Sequence, residues 1–172
     1  MSPALVVVLR VLHIIAGAIW VGGLVIFTFF IMPSISAAGP AGRQVMGELG
    51  KRKYPQWIMG FMGITLLSGF ALMWWLSQSV GPAYFSSPMG RAISMGAGLA
   101  IIASIVGVVV PRPTAMKLIA INEAVQKAGG TPTPEQSAEI ARLQKRMILG
   151  TRFVAVMLLL AVAAMAGARY MS

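Results

Sequence analysis

The sequence predicts an all-α integral membrane protein, a bundle of four transmembrane helices with amphipathic helical segments on its cytoplasmic side. Three observations carry that prediction. The 172 residues are 58% hydrophobic and only 10% charged, with a mean hydropathy of +0.82, far from the balance of a water-soluble domain. Four apolar runs each approach the roughly 20 residues that cross a hydrocarbon core of about 30 Å as a helix. None of them alternates apolar and polar residues as a barrel strand does. The whole chain, residues 1–172, reads as one bundle without an internal repeat or a second domain.

The first span, residues 4–32, would measure roughly 43 Å as a helix, so it must tilt or protrude from the hydrocarbon. Pro33 is expected to end it. Pro40 then opens a short segment up to residue 53, in which Val45, Met46 and Leu49 can lie on the membrane while Arg43, Lys51, Arg52 and Lys53 face headgroups. The second span covers residues 55–76, with Trp57 at one end and Trp74 and Trp75 at the other, where amphipathic rings prefer to sit. Residues 77–87, rich in Ser, Gly and Pro, form a loop. Ser87 and Pro88 supply a cap and first turn for the third span, residues 88–110, which Pro111 and Pro113 close.

Residues 114–128 mix Met116, Leu118, Ile119 and Val125 with Lys117, Glu123 and Lys127. That pattern is an amphipathic helix, stopped by Gly129 and Gly130. Thr133, Pro134 and Gln136 have the spacing of a capping box. From there one helix can run through Glu139, Arg142 and Arg146 into the fourth span, residues 147–169, with Arg152 just inside the span and long enough to snorkel. Small residues at Ala18 and Gly22, at Gly90, Ser94 and Gly98, and at Ala163 and Gly167 have the spacing that lets membrane helices approach closely.

Orientation follows from charge. Of the 14 Lys and Arg residues, eleven lie in loops 33–54 and 111–146 or at Arg152, and only Arg10, Arg91 and Arg169 lie on the opposite side. The positive-inside rule therefore makes loops 33–54 and 111–146 cytoplasmic and puts loop 77–87 and both termini outside, in the periplasm if the membrane is a bacterial inner membrane. The amino terminus has no early positive charge and its apolar run is too long for a signal peptide, so it is expected to stay as a retained span. The net charge of +10 sits beside membrane spans, which points to lipid headgroups as partners and not to nucleic acid. The chain has no cysteine, hence no disulfide, thiolate ligand or cysteine nucleophile.

The one stretch with chemical potential is the first span. It holds the only histidine, His13, with Arg10 one turn before it and Trp20 two turns after it. Arg10, His13, Gly17, Trp20 and Leu24 fall three or four residues apart, on one helical face. Ionisable groups within a membrane mark functional sites by default. Trp20 falls near mid-span, so an interfacial belt does not account for it. It is either a packing aromatic or a wall for a pigment ring.

The run LHIIAGAIWVGG at residues 12–23, followed by Phe27, Phe30 and Pro33, resembles the copper-resistance D (CopD-like) superfamily of bacterial membrane proteins. The whole layout, including the segment GPAGRQVMGELGKRKYP and the long loop before the fourth span, more closely resembles a set of four-helix proteins related to it. The resemblance implies a bundle whose first-helix histidine carries copper or b-type haem, as proposed for relatives including the protoporphyrinogen-oxidase-like HemJ group. Because His13 stands alone, a haem with two histidine ligands would need a second subunit.

Counting depth from the outer ends of the spans, Met73, Met95 and Met165 fall near the level of His13. A His–Met ligand pair drawing on Met95 is therefore conceivable, with Arg10 available to a propionate. Copper would rest on His13 as metal ligand and on soft thioethers, but the 13 methionines are scattered as core fillers would be. The four acids, Glu48, Glu123, Glu135 and Glu139, all lie in loops, so no carboxylate pair or proton relay falls within the membrane. No phosphate loop, dinucleotide fingerprint or zinc spacing is present. The expected function is thus that of a non-catalytic accessory or structural subunit of a larger membrane complex, or of a homo-oligomer. The alternative is a haem- or copper-binding protein using His13.

Overall fold

The computed structural model describes residues 1–171, the side chains of Pro40 and Arg43 excepted. It is helical throughout, with four helices long and apolar enough to cross a membrane. The elements are α1 (Pro3–Ile26), a π-helical turn (Phe27–Ile31), α2 (Met32–Ala37), α3 (Gly39–Lys51), α4 (Tyr54–Val80), a 3-10 turn (Pro82–Ser86), α5 (Pro88–Val109), α6 (Pro111–Lys127), α7 (Pro134–Gly167) and a final 3-10 turn (Ala168–Tyr170).

Several boundaries follow the local chemistry expected of them. The Ser87 hydroxyl accepts from the amide of Gly90 at 3.0 Å and caps α5. Thr133 and Gln136 form a reciprocal capping box at the start of α7, with bonds of 2.9 and 3.2 Å. Gly129 and Gly130 take φ of +101° and +84°, which ends α6.

Pro33 does not end the first helix. A proline lacks the amide hydrogen and crowds the carbonyl four residues back, which ordinarily breaks a helix. Here the wide turn at Phe27–Ile31 precedes it, with the amide of Met32 bonded to the carbonyl of Phe27, five residues back. That extra residue absorbs the mismatch, and the helix runs on to Ala37. The loop expected at residues 77–87 is shorter than its Ser, Gly and Pro content suggests, because the α-helix continues through the two serines. Ser77 and Ser79 bond their hydroxyls to the carbonyls of Trp74 and Trp75, and α4 persists to Val80.

Packing is organised as two antiparallel helix pairs, α1 with α4 and α5 with α7, with lighter contact between the pairs. Trp20 joins them. It is 4% exposed and lies in a cluster with Ala100 and Ala103 of α5 and Val154, Leu158 and Ala161 of α7, flanked by Ile58, Phe61 and Leu66 of α4. Beside α7 at the basic end packs α6, with Val125 buried and Met116 and Ile119 exposed. α3 keeps Val45 exposed and Met46 and Leu49 half-buried. The notional headgroup contact of Arg43 lies outside the described residues. Trp57 and Trp74 are both largely exposed, and their 17-residue separation on α4 is about 26 Å, close to one hydrocarbon thickness.

Of the small residues the spacing suggests, Gly90 is buried and leaves no room for a Cβ beside the Tyr84 carbonyl, but several others face away from the neighbouring helices. Ala18 and Ala163 are exposed, and a side chain added at Gly22 or Gly98 would meet nothing within 4 Å. The close approach of α5 to α7 runs through Gly96 instead. A Cβ there would lie 2.7 Å from Met165 Cγ and 3.0 Å from the Ala161 carbonyl oxygen. Spacing alone identifies a smooth face of a helix, and cannot say which of two smooth faces meets protein.

Candidate functional site

His13 is held by α4. Its Nδ1 lies 2.8 Å from the backbone oxygen of Thr65, 52 residues away in sequence. A carbonyl oxygen can only accept, so Nδ1 carries the proton and donates. The serine beside it fits that assignment. Ser68 Oγ lies 3.4 Å from Nδ1, and its own proton goes to the Ile64 carbonyl at 2.6 Å, so towards the imidazole it too can only accept.

The seat for the ring is made by glycine. A Cβ at Gly69 would fall 2.8 Å from His13 Cε1 and 3.1 Å from Nδ1, so only the absence of a side chain lets the imidazole reach the Thr65 carbonyl. One turn along α1, Gly17 faces Thr65, where a Cβ would stand 3.5 Å from Thr65 Cγ2. Thr65 and Ser68 are buried, and each returns its hydroxyl proton to its own helix. The result is a narrow polar seam between two apolar helices, with its hydrogen bonds made locally.

His13 Nε2 has no hydrogen bond among the described residues. The buried polar side-chain atoms lacking a partner are Thr28 Oγ1, Tyr84 OH and Ser94 Oγ. Since Nε2 is not one of them and His13 is half-buried, this nitrogen reaches the surface of the bundle. An imidazole whose Nδ1–H is anchored on a backbone carbonyl, leaving Nε2 open, is in the tautomer and orientation of a typical ligand histidine.

The other residues singled out from the sequence lie apart from this seat. Arg10 is exposed, one turn nearer the end of the bundle that carries the termini. Trp20 is in the core cluster described above, packed against aliphatic side chains from the other three spans. Met95 is 59% exposed, directed away from the bundle, while the polar neighbours of His13 are all on α4. Met165 is engaged with Gly96. Thr65, Ser68 and Gly69 are the residues that sequence reasoning missed. Their signal was a Thr-Leu-Leu-Ser-Gly run inside an apolar span, which on its own reads as ordinary helix contact.

A second polar contact ties the same helix pair at its basic end. Tyr54 donates to the Gly23 carbonyl at 2.9 Å, and its ring lies 5.4 Å from that of Phe27. At the opposite end, Tyr84 is fully buried between α4 and α5, and burial raises its phenol above the ordinary value. In the polar segments, Glu48 pairs with Lys51 and Glu139 with Arg142. The bond from Arg142 lowers the Glu139 carboxyl, and the Glu48 bond raises the Lys51 ammonium. No group of three His, Cys, Asp or Glu able to hold a metal occurs among the described residues.

Compared with protein-family models, curated proteins and solved structures, the chain matches none.

Proposed function

We propose that the chain is a non-catalytic accessory or structural subunit of a larger membrane complex, of the CopD-like type that its first span resembles. The observation that carries this reading is the filled junction of the four spans. Trp20 and the small and branched residues around it occupy the place where an internal cofactor slot would open. In the α1–α4 seam Thr65 and Ser68 bond back to their own helix and His13 bonds the Thr65 carbonyl across it, so these side chains satisfy one another and the backbone and do not converge on an interior space. Purification from native membranes in mild detergent tests the proposal. Co-migration of other chains with this one is the expected result, and a chain that always migrates alone contradicts it.

A second reading is favoured by the open Nε2 of His13. In it the histidine is one ligand of a b-type haem or copper ion at the rim of α1 and α4. The remaining ligands then come from another subunit, and Arg10 lies one turn away for a propionate. The fit is to the rim alone, since the interior is packed. A bound haem would supply one-electron transfer. An absorption spectrum of the complex with a Soret band that His13→Ala abolishes supports this reading, and a spectrum without that band removes its haem form.

The charge asymmetry supports both termini outside, which is the periplasm in the bacterial inner membrane that the CopD-like resemblance implies. An alkaline phosphatase fused after residue 171 is expected to be active in that arrangement. A fluorescent cytoplasmic reporter active at the same position contradicts it.

A further inference from the structure

We propose that the outward face of α7, where the helix enters the membrane, is a binding site for one anionic phospholipid, with Lys145 and Arg152 on the phosphate. This does not depend on the accessory-subunit reading. Ala141, Gln144, Lys145, Ile148, Leu149 and Arg152 line a shallow groove on this face. Their spacing of three or four residues is one stripe of one helix. The opposite stripe, Leu143, Met147 and Thr151, is buried in the protein, so the groove sits on a fixed support.

Charge selects the occupant. Arg152 is followed by an uncharged run to Ala168, which places it at the edge of the hydrocarbon, where an unpaired cation is costly. Among the described residues the two ion pairs are Lys51–Glu48 and Arg142–Glu139, and neither reaches this stripe. The anion must then come from outside the chain. Side chains on a helix lean towards its amino terminus, here the basic end. Arg152 therefore snorkels back towards Lys145, two turns and about 10 Å along the axis. Both cations meet at headgroup level with Gln144 as a further donor, Ile148 and Leu149 between them face the glycerol region, and the acyl chains run on along the exposed Val156 and Leu159 of the same stripe. A phospholipid phosphate with a negatively charged headgroup satisfies all of these at once.

Native mass spectrometry of the full chain in detergent, titrated in parallel with phosphatidylglycerol and phosphatidylcholine, tests the site. Wild type is expected to retain one phosphatidylglycerol in preference to phosphatidylcholine. Lys145→Gln with Arg152→Gln should reduce that preference by about fivefold per cation removed. Arg152→Lys should keep most of it, and Arg112→Gln with Lys127→Gln, the same loss of charge elsewhere on the basic end, should leave it unchanged. Equal retention of the two lipids by wild type overturns the proposal without recourse to any variant. So does an equal loss in the Arg112 and Lys127 control, which would mean general charge attraction. Displacement of the lipid by soluble glycerol phosphate at comparable concentration would also overturn it, by assigning the site to free phosphate.

Discussion

The two helix pairs of this bundle solve the same problem differently. The α5–α7 pair is held by shape, with Gly96 against Met165 and the Ala161 backbone, Gly107 against Val154, and Ala155 without any exposure. The α1–α4 pair adds polar contacts at chosen heights, the His13–Thr65 bond and the Tyr54–Gly23 bond. Because lipid is as apolar as a leucine side chain, burying apolar surface does little to hold helices together in a membrane. Close packing and hydrogen bonds have to do it instead. A seam of packing alone needs no specific partner. A seam with a fixed histidine leaves one ring nitrogen without a hydrogen bond among the described residues.

The largest effect should come from the residue both pairs share. Trp20→Ala would empty the centre of the core cluster, and a loss of about 3 kcal/mol or more is expected for an aromatic truncated at such a site. Thermal or detergent unfolding should show both pairs weakening together. A loss confined to α1 and α4, read from protection of each span against proteolysis, would mean the pairs are not coupled through Trp20.

Gly96→Val comes next. It forces methyl groups into Met165 and the Ala161 carbonyl, an overpacking expected to cost about 1–3 kcal/mol. It should loosen α5 and α7 while the His13–Thr65 bond persists.

Gly69→Ala is the matching insult to the polar pair. The added methyl would displace the imidazole, and the expected loss is about 1–2 kcal/mol from the broken bond and the local strain. His13→Ala, which removes the same bond without the clash, should cost less, about 0.6 kcal/mol on the average for membrane hydrogen bonds. If the two substitutions cost the same, Gly69 is not a seat for the ring.

The smallest effect lies outside both seams. Glu139 is held below its ordinary value by Arg142, so the pair helps above the usual glutamate range and is lost as pH falls through the lowered value. Both groups face water, so acid should fray the start of α7, read by hydrogen exchange, and leave both seams intact.

Much of this was legible in the residues. The four spans follow from continuous apolar runs of roughly 20 residues, and the capping box at Thr133, the cap at Ser87 and the glycine stop after α6 from neighbours within four positions, so all of them are local along the chain. Pro33 was misleading because the compensating turn at Phe27–Ile31 leaves no mark that a residue-by-residue rule detects. The small-residue spacing at Ala18 and Gly22 was misleading because lipid tolerates a smooth face as readily as protein does. His13 stood out at once, as the lone ionisable ring in an oily helix. Its seat did not, because Thr65, Ser68 and Gly69 lie more than 50 residues away and only the antiparallel pairing of α1 with α4 brings them to it.

The central claim is that His13 is locked by its Nδ1–H on the Thr65 carbonyl, with Nε2 left open for a partner. As the only histidine in the chain, it can be read alone by nitrogen-15 NMR of protein labelled at histidine and reconstituted in bilayers. The account predicts a single neutral imidazole protonated at Nδ1, collapsing to a mixture of tautomers in Gly69→Ala. A wild-type ring protonated at Nε2 instead, or one already averaging between tautomers, would contradict it.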